Sequence, residues 1–124
     1  MRASALSAAV LMVCVFTACV FMTNPAHAHA HLRTAVPEAS ATGPSPPRIS
    51  LGFSDALEPR LSRIAVTAGA TTIAEGVSPS TADDPRRMVL ELPKLAPGTY
   101  TVKWTAVSID THRTEGSYSF TVAP

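Results

Sequence analysis

The chain has 124 residues, ten Lys and Arg against nine Asp and Glu, and a formal net charge of +1. This near balance, with no basic stripe, gives no electrostatic footprint for nucleic acid. The length holds one modest domain and excludes two of ordinary size.

Met1-Arg2 supplies a positive start, and Ala3 to Met22 carries no charged residue, the pattern of a secretory leader. An apolar run of about 20 residues also suffices to cross a bilayer. Here, however, Asn24-Pro25 interrupts it, and Ala26-His27-Ala28 places small residues at the two positions a signal peptidase reads. The expected division is a signal peptide over residues 1–28 and one domain over residues 29–124, beginning at His29. Cleavage after Ala30, in Ala28-His29-Ala30, is a second option that starts the domain at His31, and the sequence leaves both open. Phe16-Thr17-Ala18-Cys19 is a poor lipoprotein signal, because Phe stands where such signals usually carry Leu.

Cys14 and Cys19 both fall in the leader, so the secreted domain is expected to fold without a disulfide in an oxidising compartment. Removing 28 residues from 124 leaves 96, of which nine are basic and nine acidic once Arg2 is gone.

Beyond the leader, hydrophobic residues alternate with polar ones in short segments, the period expected of strands with one buried face. Leu32, Thr34 and Val36 form the first, and Glu38 to Pro47 reads as a connection rich in Pro and Ser. Ile49, Leu51 and Phe53 form the second; Ile64, Val66 and Ala68 the third, ending at Gly69; Thr71 to Ala74 the fourth. A polar loop is expected over Glu75 to Arg86. Met88, Leu90 and Leu92 supply the fifth strand, Tyr100, Val102, Trp104 and Ala106 the sixth, and Tyr118, Phe120 and Val122 the seventh. Turn signals between these segments and the lack of any helical stripe predict an all-β, seven-stranded Greek-key sandwich of immunoglobulin-like or cupredoxin-like type. Leu95 to Tyr100 has the form of a tyrosine corner, and Trp104 and Met88 are expected in the core.

Chemistry concentrates in three histidines and two aspartates. An N-terminal His29 offers two nitrogens, its free amine and ring Nδ1, which close a chelate ring on one metal ion. His112 adds a third nitrogen, and Asp110, two residues earlier, shares its side of an extended segment. Three nitrogens and a carboxylate suit Cu(II), which favours tetragonal N and O coordination. Asp55, in the loop after the second strand, is a further ligand or an orienting group, and His31 is a secondary ligand. In the bland alternative, the terminal histidines are incidental, Asp110 shapes a turn and His112 is an exposed loop residue.

On these residues the domain resembles the CopC copper-resistance proteins over essentially its whole length. His29, Leu32 and Pro37 keep the spacing of that family's opening, and Phe53-Ser54-Asp55 is similar to its Phe-Ser-Glu or Phe-Ser-Asp element. Val107-Ser108-Ile109-Asp110-Thr111-His112 resembles its Val-Ser-x-Asp-Gly-His segment, and Gly116 and Phe120-Thr121-Val122 match its closing strand. The resemblance implies one Cu(II) per chain in the periplasm, held by the amine and ring of His29, the ring of His112 and the carboxylate of Asp110, with Asp55 close by. It also favours His29 over His31 as the first residue. Partners implied by the same analogy are a CopD-like membrane copper-transport protein or a periplasmic multicopper oxidase; separately, the chain is expected to be a monomer.

Two departures stand out. Thr111 occupies a position where the family commonly has Gly, which alters the demand on the loop backbone. Three of the four methionines lie in the leader, leaving Met88 alone, so no separate Cu(I) site built on thioethers is expected.

The expected function is a copper carrier or buffer without catalysis. A copper-dependent oxidative enzyme using an N-terminal histidine brace is the runner-up, disfavoured because 96 residues leave little for a substrate platform and Asp110 would fill the position oxygen needs. A metal-free accessory or adhesion domain is the third option.

Overall fold

The computed structural model describes residues 29–77 and 84–124, and the expected leader with Cys14 and Cys19 lies outside the described residues. Among the described residues there are eight strands: β1 (Leu32–Val36), β2 (Thr42–Gly43), β3 (Arg48–Phe53), β4 (Arg63–Ala68), β5 (Thr71–Val77), β6 (Arg87–Glu91), β7 (Gly98–Val107) and β8 (Arg113–Val122). They form two sheets, one ordered β1-β3-β6 and the other β2-β8-β7-β4-β5. The predicted all-β sandwich of immunoglobulin-like type is the observed architecture.

Alternation decides which face each strand buries. Ile49, Leu51 and Phe53 of β3 point inward against Ile64 and Val66 of β4, Met88 of β6, Tyr100, Val102 and Ala106 of β7, and Phe120 and Val122 of β8. Fully burying each large aliphatic or aromatic side chain contributes about 1.5–3 kcal/mol, enough for this interior to hold the two sheets together. Tyr100 stacks on Phe120 with ring centroids 5.6 Å apart and donates its hydroxyl to the carbonyl of Ala96 at 2.6 Å, closing the predicted tyrosine corner. Trp104 faces inward at the rim of the core, edge-on to Phe53 at 5.2 Å. Gly69 takes φ +58° in the turn from β4 to β5, a left-handed conformation that lacks the Cβ penalty only in glycine.

The strand count differs from the sequence expectation by one. β2 lies within the Pro- and Ser-rich connection and pairs parallel with β8, Thr42 opposite Thr121 and Gly43 opposite Val122. Two residues are too few to show a period. β5 continues through Glu75–Val77, where a loop was predicted, because Glu75 pairs with Ala65 and Gly76 with Ile64. β8 starts at Arg113, five residues before the first predicted position, Tyr118. Gly116 sits on its inward face, and the indole of Trp104 fills the space a side chain would occupy there.

The β7–β8 hairpin matters most for the site. It is paired from Gly98 opposite Val122 to Val107 opposite Arg113, and its tip presents Ser108 to His112 beside the start of β1.

Candidate metal centre

The hairpin tip is a hydrogen-bonded turn. The Ser108 amide donates to the carbonyl of His112 at 2.9 Å and the Thr111 amide to that of Ser108 at 2.8 Å. Thr111 adopts φ +72°, in the left-handed region that favours glycine. Asp110 and His112 are therefore brought together by a turn and not by strand alternation, which corrects the extended geometry expected from the sequence. Nδ1 of His112 lies 3.2 Å from Oδ2 of Asp110. A neutral His112 donates Nδ1–H to that carboxylate, which leaves Nε2 as the lone pair available to a metal.

Ser108 supports the same carboxylate from its other side, donating its hydroxyl to Oδ1 of Asp110. This bond holds the Asp110 carboxyl below the usual carboxylate range; partial loss of water opposes it, and His112 reinforces it. Asp110 thus stays ionised and acceptor-only, as a group orienting an imidazole or meeting a cation must be.

The terminal segment reaches this tip from the other sheet. The rings of His29 and His112 meet edge to face, centroids 5.0 Å apart and planes inclined by 81°. Ala30 is fully buried, and its carbonyl accepts a hydrogen bond from Thr114 Oγ1 at 2.9 Å, tying the terminus to the base of β8. Nδ1 of His29 is out of contact with solvent. Ser54, directly after β3, accepts the His31 amide at 2.8 Å and donates to Oδ2 of Asp55 at 2.8 Å.

Of the five residues singled out in the sequence, His29, Asp110 and His112 come together. Asp55 is linked to the terminal segment through Ser54, and it lines with Asp110 a hollow also bordered by Ala56, Arg86, Ser108 and Ile109. His31 is exposed, its backbone and not its ring being engaged. Among the described residues, no three His, Cys, Asp or Glu side chains stand at mutual metal-ligand spacing. The donors are gathered in pairs, and an ion would have to draw them in.

Sequence reasoning missed Ser54, Ser108, Thr114 and Arg86. Ser54 and Ser108 each adjoin or nearly adjoin a singled-out aspartate, which was the one available signal. Nothing in the residue types marked Thr114 or Arg86.

Fold and site together define the class, a small immunoglobulin-like β-sandwich that collects imidazole and carboxylate groups at one end of its sheets. The chain belongs to the CopC family, since the CopC domain matches residues 32–123. It is 37% identical over 108 residues to copper resistance protein C of Escherichia coli, covering 78% of this chain and 83% of that one. It is 34% identical over 117 residues to copper resistance protein C of Pseudomonas syringae pv. tomato, covering 89% and 93%. Among solved structures it is similar to CopC from Methylosinus trichosporium OB3b, with a TM-score of 0.73, 38% identity, and coverage of 77% of this chain and 95% of that one. PcoC, a methionine-rich copper resistance protein from Escherichia coli, superposes with a TM-score of 0.68 at 37% identity, covering 77% and 99%. The chain is thus a member of a family of copper-binding resistance proteins.

Proposed function

We propose that this protein is a periplasmic carrier or buffer of Cu(II), taking one ion per chain at the terminus exposed when residues 1–28 are removed. The observation that carries this reading is the meeting of the His29 and His112 rings, with Asp110 beside Nδ1 of His112. The His29 amine and Nδ1 would close one chelate ring, Nε2 of His112 would add a third nitrogen, and the charge of Asp110 would offset that of the ion. Nitrogen and oxygen donors of this kind suit Cu(II). The thioethers that would favour Cu(I) are reduced to Met88, which is fully buried in the core.

Burial of Ala30 also supports cleavage after Ala28, because a cut after Ala30 would remove a fully buried residue together with the His29 ring. Acid should release the ion, since amine and imidazoles bind metal only without their protons. No catalytic step is needed. Delivery to a membrane transporter or an oxidase rests on family analogy alone.

Intact mass spectrometry of the exported protein, with and without one equivalent of Cu(II), tests the reading. The expected result is a mass beginning at His29 that gains one copper and loses that capacity on His112→Ala. A mass retaining the leader, or carrying a lipid on Cys19, would remove the amine donor and overturn it.

A further inference from the structure

His29-Ala30-His31 contains a second way to bind copper, and it needs no fold. A chain with His in third place can wrap a metal in a square plane through its amine, the next two backbone amide nitrogens and the third residue's ring. This geometry suits Cu(II), and both amide nitrogens must turn toward one ion to form it. In the folded protein the second of them is turned elsewhere. The His31 amide donates to Ser54 Oγ at 2.8 Å, while the His31 carbonyl accepts the Ser54 amide at 2.8 Å. The preceding peptide is fixed as well, with Ala30 fully buried and its carbonyl on Thr114 Oγ1 at 2.9 Å. Immediately beyond, Leu32 enters the β1–β3 ladder opposite Phe53.

We propose that Ser54 is a positioning residue that selects the copper-binding mode, its hydroxyl holding the His31 amide away from the terminus so that Cu(II) goes to the two-histidine site and not to the local four-nitrogen chelate. This rests on the function proposed above. The same hydroxyl donates to Asp55 at 2.8 Å, so one side chain sets the path of the terminal backbone and the direction of the nearby carboxylate. Because a hydroxyl both donates and accepts, Thr can replace Ser54 in this role, whereas Ala supplies neither bond.

The test uses the exported protein beginning at His29, loaded with one equivalent of Cu(II) and read by electron paramagnetic resonance and visible absorption. The wild type should give a signal that His112→Ala alters and His31→Ala leaves unchanged. Ser54→Ala should shift the balance toward a four-nitrogen species about two- to twelvefold, the factor one side-chain hydrogen bond is worth. That new species should vanish in Ser54→Ala/His31→Ala, and Ser54→Thr should restore the wild-type spectrum. A folded Ser54→Ala protein with the wild-type spectrum and no His31-dependent species would overturn the assignment of Ser54 while leaving the two-histidine reading intact. A wild-type signal that depends on His31 and ignores His112 would overturn both. If Ser54→Ala does not fold, amide exchange of His31 in the copper-free wild type decides: protection supports the clamp, and exchange at the open-chain rate overturns it.

Discussion

Ser108 donates its hydroxyl to Oδ1 of Asp110, while Oδ2 of the same carboxylate faces Nδ1 of His112 at 3.2 Å. The serine is the largest cause of the lowered Asp110 pKa, so Ser108→Ala should move that pKa back up toward its ordinary value of 3.8. A depressed carboxyl stabilises the fold above its unfolded pKa, and the stabilisation is lost as pH falls through the folded value. In Ser108→Ala the interval between the two values narrows, so acid removes less stability and the loss is complete at a higher pH than in the wild type. A carbon-detected NMR titration of Asp110 in the copper-free protein measures the shift directly; an unchanged titration would show that the hydroxyl does not govern the carboxylate.

Thr111 adopts a φ of +72°, in the left-handed region where glycine carries no Cβ penalty. A residue with a Cβ in this region carries strain of about 1–2 kcal/mol. Glycine relieves it but gains unfolded-chain entropy worth about 0.4–1 kcal/mol. Thr111→Gly should therefore stabilise the domain by up to about 1.5 kcal/mol, with Thr111→Ala giving no such gain. Denaturant midpoints of the three proteins check the order, and a destabilised glycine variant would mean that the threonine side chain contributes more than its strain removes.

Gly116 and Trp104 share one volume. A Cβ at position 116 would lie 2.3 Å from Cζ2 and 2.6 Å from Cε2 of the indole, a rigid ring that itself leans on Phe53. Overpacking of this kind costs about 1–3 kcal/mol, so Gly116→Ala should lose stability in that range and shift the tryptophan emission to longer wavelength as the ring is pushed outward. Unchanged emission and an unchanged melting curve would show that the ring is not confined as described.

These relationships show where reading the sequence reached its limit. The alternation of Ile49, Leu51 and Phe53, or of Ile64 and Val66, exposes strand and face together, because one side of each strand meets the core and the other meets water. The first half of β8 hides the same alternation: Gly116 faces inward with no side chain to report it, and Arg113 and Glu115 dominate the outward face. At the site, His29, Asp110 and His112 are conspicuous by type, whereas Ser54, Ser108 and Thr114 act through single hydroxyls. Those hydroxyls gain meaning only when strands distant in sequence are laid side by side. The turn at residues 108–112 was only one of two readings of Asp110, since Asp-x-His is compatible with an extended segment as well as a bend, and the backbone hydrogen bonds decide for the bend.

Tyr118 gives the last prediction, and it concerns alkaline stability. Its hydroxyl is buried without a hydrogen-bond partner among the described residues, and burial pushes its pKa from 10.0 up to about 12. The unfolded chain releases the phenolic proton near 10.0, while the folded chain keeps it until about 12. The contribution of the neutral phenol is therefore fully present below pH 10.0 and is lost progressively as pH rises to about 12. Tyr118→Phe removes both the titration and the unsatisfied hydroxyl. Near neutral pH the variant should be as stable as the wild type or more stable, by up to about 1–3 kcal/mol for the relieved desolvation. Its stability should also fall less steeply than that of the wild type through the same alkaline window. Urea melts at neutral and alkaline pH measure both effects, and a Phe variant markedly weaker at neutral pH would show that the hydroxyl has a partner after all.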